Sequence, residues 1–140
     1  MAARNQVILI VRLKGDSKMR ELNIGTTRYT RVLVMDEPGQ GGACHSYQVR
    51  DSHPADDFQG ALPFAEVRFQ NGPVKEVGVN GCYQEDLLVI VIDRLQSFQA
   101  GPFACRENAL AITKIQEAMH WLNHRTSDRQ SRGVEGTNEK

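Results

Sequence analysis

The hydrophobic period of this chain changes once, at Asn80-Gly81, and that change bounds what it can fold into. Before it, apolar residues recur mainly at every second position, the mark of strands with one wet face. After it they recur every three to four residues, the mark of helices packed along one stripe. Strands followed by helices, rather than alternating with them, predict an α+β protein. At 140 residues the chain fits a single domain. We divide it into an antiparallel β-meander over 1–80, an antiparallel two-helix hairpin over 81–133 that mediates dimerisation, and a polar tail over 134–140.

Residues 7–13 form an apolar, β-branched run that reads as a buried strand ended by Gly15-Asp16. Residues 31–35 (RVLVM) predict a second strand, which runs into a glycine-rich turn at 36–42. Residues 44–50 alternate and return antiparallel to it. In the next strand Phe64, Glu66, Arg68 and Gln70 share one side, and Ala65, Val67 and Phe69 the other. Asn71-Gly72-Pro73 then turns the chain into a short strand over 74–79. The expectation is a meander of four or five strands, with residues 51–60 as a loop.

From Tyr83 onward Leu88, Val91, Ile92 and Leu95 recur at helical spacing, with Gln84, Glu85 and Asp86 in the first turn. Acids there suit the positive end of a helix. Gly101-Pro102 stops this helix after about 18 residues. A second helix of about 26 residues begins near Cys105, carries Ile112, Ile115, Met119 and Leu122 on one face, and ends near Gly133. A sheet of this size and two helices cannot cover every apolar stripe. The small face of Ala111 and Ala118 is therefore expected to pack against another subunit.

Composition narrows the function. Basic and acidic residues number 17 each, and each half of the chain is balanced. A DNA or RNA binder needs a basic excess to neutralise many phosphates; a small anion held by two or three arginines leaves no trace in such totals. The apolar runs are far shorter than the roughly 20 residues a membrane span needs. Cys44, Cys82 and Cys105 have no paired spacing and read as free thiols of a reducing cytosol.

The strongest local signal is RTSDRQSR at the end of the second helix. Arg125, Arg129 and Arg132 stand at i, i+4 and i+7, so they leave one face, with only Asp128 nearby to neutralise them. Cations at a helix C-terminus interact favourably with its dipole, at about 0.3–1 kcal/mol each. The alternative reading of the same row is a phosphate or pyrophosphate clamp, for which the planar guanidinium is the natural donor. Phe98 and Phe103 flank the inter-helix turn; Phe98 continues the stripe Val91–Leu95, or stacks a nucleobase. Asn108, one turn into the second helix, either caps or reads a purine edge with its amide.

No catalytic set assembles. His45 follows the glycine turn beside Cys44, His53 lies in an acidic loop, and His120 and His124 are i, i+4 without a third ligand at motif spacing. The GQGG turn lacks the Lys-Ser/Thr of a phosphate-binding P-loop. Cys105 sits near a helix N-terminus with no partner base in sight. No metal, cofactor or catalytic residue is expected.

The stretches FQNGPVKEVGVNG (69–81) and VIDRLQSFQAGPFACRENALAITKIQEAMHWLNHRTSDRQSRGVEGT (91–137) resemble the first Thoeris anti-defence family of bacteriophage proteins. Related helical segments occur in phage proteins that block cyclic-oligonucleotide immunity. The resemblance implies a non-enzymatic sponge in the cytoplasm of the infected bacterium. Such a sponge holds cyclic ADP-ribose signals, chiefly the 1′′–2′ and 1′′–3′ glycocyclic isomers, without cleaving them. It places the ligand contacts at Phe98, Asn108, Arg125 and Arg129: an aromatic platform for adenine, an amide reader and a pyrophosphate clamp. It also implies homodimers through the helical part, further assembly into hexamers, and cyclic di- or trinucleotides at additional sites. Asn108 and Arg125 are 17 residues apart on one helix, about 25 Å, too far for one small nucleotide. With the resemblance, that distance argues for a site shared between two antiparallel subunits. The alternatives are a sponge chiefly for cyclic oligonucleotides, or a phosphodiesterase that destroys the signal.

Overall fold

The computed structural model describes residues 10–12, 18–25, 29–52 and 62–140, and the chain forms two compact units, Met1–Asn71 and Gly72–Lys140. The class is α+β: an antiparallel sheet followed by helices.

The first unit holds five strands in sequential antiparallel order: β1 (Ile10–Arg12), β2 (Lys18–Leu22), β3 (Thr30–Val34), β4 (Ser46–Asp51) and β5 (Ala65–Arg68). β3 is the middle strand. Leu33 and Val34 point to opposite faces of the sheet, and both are buried, Val34 completely. Both faces are therefore covered at the centre, and the full burial of Val34 contributes about 1.5–3 kcal/mol. Met19 on β2 and Cys44 just before β4 complete the described core. On β4 Tyr47 stands opposite Val67 and meets Phe69 edge to face, with ring centroids 5.6 Å apart. Phe69 and Val67 thus share the half-buried side that the alternation in 64–70 predicts, while Phe64 is exposed.

The connection from β3 to β4 is sealed by Asp36. Its carboxylate accepts the backbone N–H of His45 (2.9 Å) and of Ser46 (3.1 Å), and Met35 N–H reaches Ser46 O at 2.9 Å. A short 3-10 turn at Gln40–Gly42 lies inside this loop. The chain packs closely here: a Cβ on Gly39 would stand 3.1 Å from the His45 ring.

Two expectations change in this unit and at its edge. β2, with the charged sequence KMREL, carries no apolar alternation beyond Met19 and Leu22, and pairing with β3 makes it a strand. Residues 74–79 do not form a strand. Val74–Val77 is a single helical turn, α1, entered through Pro73 in an extended conformation. Proline pre-sets the backbone for the first turn of a helix, and four residues are too few for a 3.6 period to register in the sequence. Residues 7–9 and 13–17, and the loop at 53–60 with His53, lie outside the described residues.

The second unit is built on α2 (Gln84–Gln99) and α3 (Arg106–Ser131), packed against each other as an antiparallel hairpin. The Asp86 carboxylate accepts the Tyr83 N–H at 2.8 Å and closes the N-terminus of α2. Leu88, Ile92 and Leu95 on α2 and Ile112, Ile115, Met119 and Leu122 on α3 are half-buried, yet neither helix has a fully buried side chain. Ile90 is 63% and Trp121 62% exposed. Among the described residues no helix is long and apolar enough to cross a membrane.

Candidate functional site

The turn between the helices is held by one side chain that the sequence reading passed over. Gln99, the last residue of α2, donates from Nε2 to Cys105 O (3.0 Å) and accepts the Cys105 N–H on Oε1 (2.8 Å). This two-pronged amide bridges the turn and fixes the start of α3 against the end of α2. A glutamine at the last helical position before Gly-Pro is the only sequence signal for it.

The aromatic group sits on this frame. Phe98 is half-buried and meets Phe103 edge to face, with centroids 6.4 Å apart and planes at 88°. Arg94, one turn earlier, lies with its guanidinium carbon 5.0 Å from the Phe98 ring centroid, a cation–π contact whose i, i+4 spacing is visible in the sequence. Asn108 is half-buried beside them. Its backbone N–H donates to Cys105 Sγ (3.4 Å) and its amide Nδ2 to Phe103 O (3.4 Å). Cys105 is thus the N-cap of α3, and the Asn108 amide oxygen is left for another donor. The structure brings Phe98 and Asn108 together through Phe103 and Cys105.

The arginines stand at the other end of α3, and the structure separates their roles. Arg125 is exposed, with no hydrogen bond or ion pair to any described residue. Arg132 pairs with Asp128 at 2.9 Å and donates to Lys140 O at 2.7 Å. Arg129 is turned inward, with its side chain 16% exposed. It donates to Val134 O (3.0 Å), Thr137 O (2.9 Å) and Glu139 O (2.8 Å), and pairs with Glu135 at 3.3 Å. Asp128 is therefore not the sole acid among the arginines. The segment read as a polar tail supplies Glu135 and a set of carbonyl acceptors, because its backbone folds back over the helix end.

The histidines follow their local packing. His120 and His124 both meet the exposed Trp121 ring edge-on, at 5.6 and 6.1 Å. No third His, Cys, Asp or Glu joins them among the described residues. His45 is held in the β3–β4 loop with Nδ1 buried against Gly39.

Residues 63–127 match the family described as "Acb2/Tad1, hairpin domain". That segment is similar to the Acb2/Tad1 hairpin family. The matched segment carries Phe98, Asn108 and Arg125, and stops two residues before Arg129. The chain is also similar to "Thoeris anti-defense 1" of Bacillus phage SBSphiJ7, at 54% identity over 102 residues. That alignment spans 73% of this chain and 66% of the relative, a little under two thirds of its length. In the Acb2/Tad1 hairpin as it stands here, an aromatic–amide cluster and a row of arginines occupy opposite ends of one long helix.

Proposed function

We propose that this protein is a phage anti-defence sponge that captures cyclic ADP-ribose signals in the cytoplasm of the infected bacterium and holds them uncleaved. The signals are the 1′′–2′ and 1′′–3′ glycocyclic isomers. The observation that carries the reading is the division of the Acb2/Tad1 hairpin. A ring and amide able to take a purine lie at the turn, and Arg125, bonded to no described residue, lies at the far end of α3. Phe98 stacks adenine and Asn108 reads its edge, while Arg125, with Arg129 beside it, serves the pyrophosphate.

One protomer cannot bring these groups to one small ligand, because about 25 Å of helix separates Asn108 from Arg125. A homodimer with antiparallel hairpins places the arginine end of one subunit at the turn of the other and makes two composite sites. A hairpin with no fully buried residue and with Ile90, Leu110 and Trp121 exposed is half of a core, which supports that assembly. Further assembly into hexamers fits the same reading.

The test mixes protein with each glycocyclic isomer, removes unbound ligand, denatures the complex by heat and identifies what is released. Intact ligand in a ratio near one per subunit is the expected result. Release of a hydrolysed product would make the protein a phosphodiesterase. Retention of cyclic di- or trinucleotides with no retention of glycocyclic ADP-ribose would move it to cyclic-oligonucleotide immunity.

A further inference from the structure

Arg94 brings a positive charge to the aromatic end of the hairpin, away from the arginine row of α3. It stands on α2 one turn before Phe98, and its guanidinium carbon lies 5.0 Å from the centre of the Phe98 ring. The side chain is exposed, and among the described residues that ring is its only hydrogen-bond, ion-pair or cation–π partner. The sequence explains why no acid claims it. Three and four residues away along the helix stand Ile90, Val91, Ser97 and Phe98, and the adjacent Asp93 leaves a different face. The electron-rich face of the Phe98 ring takes the place of an acid.

The other groups of the cluster lie on the far side of Phe98 along the chain. Arg94 is back along α2, whereas Phe103 and Cys105 are ahead in the turn and Asn108 is in the first turn of α3. Phe103 meets the ring edge to face, and Asn108 Nδ2 donates to Phe103 O at 3.4 Å.

We infer that Arg94 is a specificity-determining residue of the aromatic platform: its guanidinium backs the Phe98 ring, so that the platform accepts a neutral purine and opposes a cationic one. The inference rests on the sponge reading above. A purine read by Asn108 stacks on the turn side of Phe98, with the Arg94 charge behind the ring.

The charge of the purine separates the isomers of cyclic ADP-ribose. In the 1′′–2′ and 1′′–3′ glycocyclic isomers the closing bond joins the two riboses, and the adenine stays neutral. Where the closing bond runs from the second ribose to adenine N1, the purine is a cation at neutral pH. Stacked aromatic rings keep their centres at least about 4.5 Å apart, so the guanidinium stands about 9.5 Å from the purine. At that range two unit positive charges disfavour binding by roughly twofold in the dielectric of water and roughly twentyfold in that of a protein surface. A neutral purine meets no such opposition.

The experiment is calorimetric titration of the full chain with 1′′–3′ glycocyclic ADP-ribose and with the N1-linked isomer. It compares the unsubstituted protein with Arg94→Met, which covers the ring without a charge, and Arg94→Lys, which keeps the charge without the fork. The ratio of the two affinities is the readout, because differences of ligand shape and the contacts of Arg125 and Arg129 are common to all three proteins and cancel. Arg94→Met should narrow the preference for the glycocyclic isomer by about fivefold, within the range above, through a gain in affinity for the N1-linked isomer. Arg94→Lys should keep the preference to within about twofold, since the discrimination is made by charge. An unchanged ratio in Arg94→Met, or equal loss of both ligands, overturns the inference and makes Arg94 a support of the ring or a phosphate contact. Loss of the preference in Arg94→Lys overturns it too. Absence of glycocyclic binding by the unsubstituted protein overturns the sponge reading, and the inference with it.

Discussion

Arg125 and Arg129 are one helical turn apart and chemically identical, so replacing each with Ala compares an arginine bonded to no described residue with one bonded to the returning backbone. Arg125 is exposed and bonded to no described residue, so Arg125→Ala should change stability by no more than about 0.5 kcal/mol, the range of ordinary surface substitutions. Its removal from a phosphate contact should cost about 1.5–3 kcal/mol of binding, roughly 10- to 150-fold in affinity. Arg129→Ala removes three hydrogen bonds to carbonyls and one ion pair from a side chain that is mostly covered. Those bonds are coupled through one segment, and the freed carbonyls regain water at the surface. The stability loss is therefore nearer one charged hydrogen bond than four, about 2–3 kcal/mol. Thermal unfolding and calorimetric titration of both variants give the two numbers for each. Arg125→Lys keeps the charge without the planar fork and should restore little of the affinity. Equal loss of melting temperature in the two alanine variants, or full affinity in Arg125→Ala, would refute this division of roles.

Phe98→Ala should weaken ligand binding by about 1–3 kcal/mol with the hairpin retained; unfolding of the variant, seen by circular dichroism, would mark Phe98 as a core residue instead. Gln99→Ala removes both bonds that bridge the inter-helix turn and should lower stability by about 1–2 kcal/mol in denaturant titration. No change there would mean that the turn closes without the amide. Light scattering should give an even multiple of the 15.7 kDa subunit mass, and monomer alone at micromolar concentration contradicts the shared site. Burial holds the Tyr47 phenol above its ordinary value of 10.0, with Cys44 and Asp36 adding to the shift and Arg20 opposing it. The folded state then keeps its proton longer than the unfolded state, so stability is full below about pH 10 and falls as pH rises through the folded value. Tyr47→Phe should remove that part of the alkaline loss in pH-dependent unfolding.

The helical hairpin was the most legible part of the chain. Its signals are local: an apolar stripe at i, i+3 and i+4, acids at the first turn of α2, and Gly-Pro between the helices. Local signals need only neighbours along one helix, and α2 and α3 begin and end within a few residues of where that pattern sets them. The central strands were legible for the same reason, since 31–35 is a short apolar, β-branched run, 44–50 alternates, and a glycine-rich turn joins them. β2 was not. Lys18–Leu22 offers only Met19 and Leu22 as apolar residues, and hydrogen bonding to β3 makes it a strand. Residues 74–79 misled in the opposite direction, because the β-branched Val74, Val77 and Val79 outweighed the effect of Pro73 on the following turn.

The candidate site divides along the same line. Which residue types are present, and that Phe98 and Asn108 flank one turn while the arginines stand a helix length away, follow from the sequence, because helix rise per residue is nearly constant. Which arginine is free follows only from the tertiary structure. Arg125, Arg129 and Arg132 are alike in spacing and charge, and VEGTNEK reads as a polar tail. The outcome depends on two glycines in left-handed conformations returning the chain so that backbone carbonyls from 134, 137 and 139 meet one guanidinium. Carbonyls are the same at every residue, so no side-chain pattern announces where they will converge. Spacing along the helix determined the row of arginines, and the return of the backbone decided which of them is bonded within the chain.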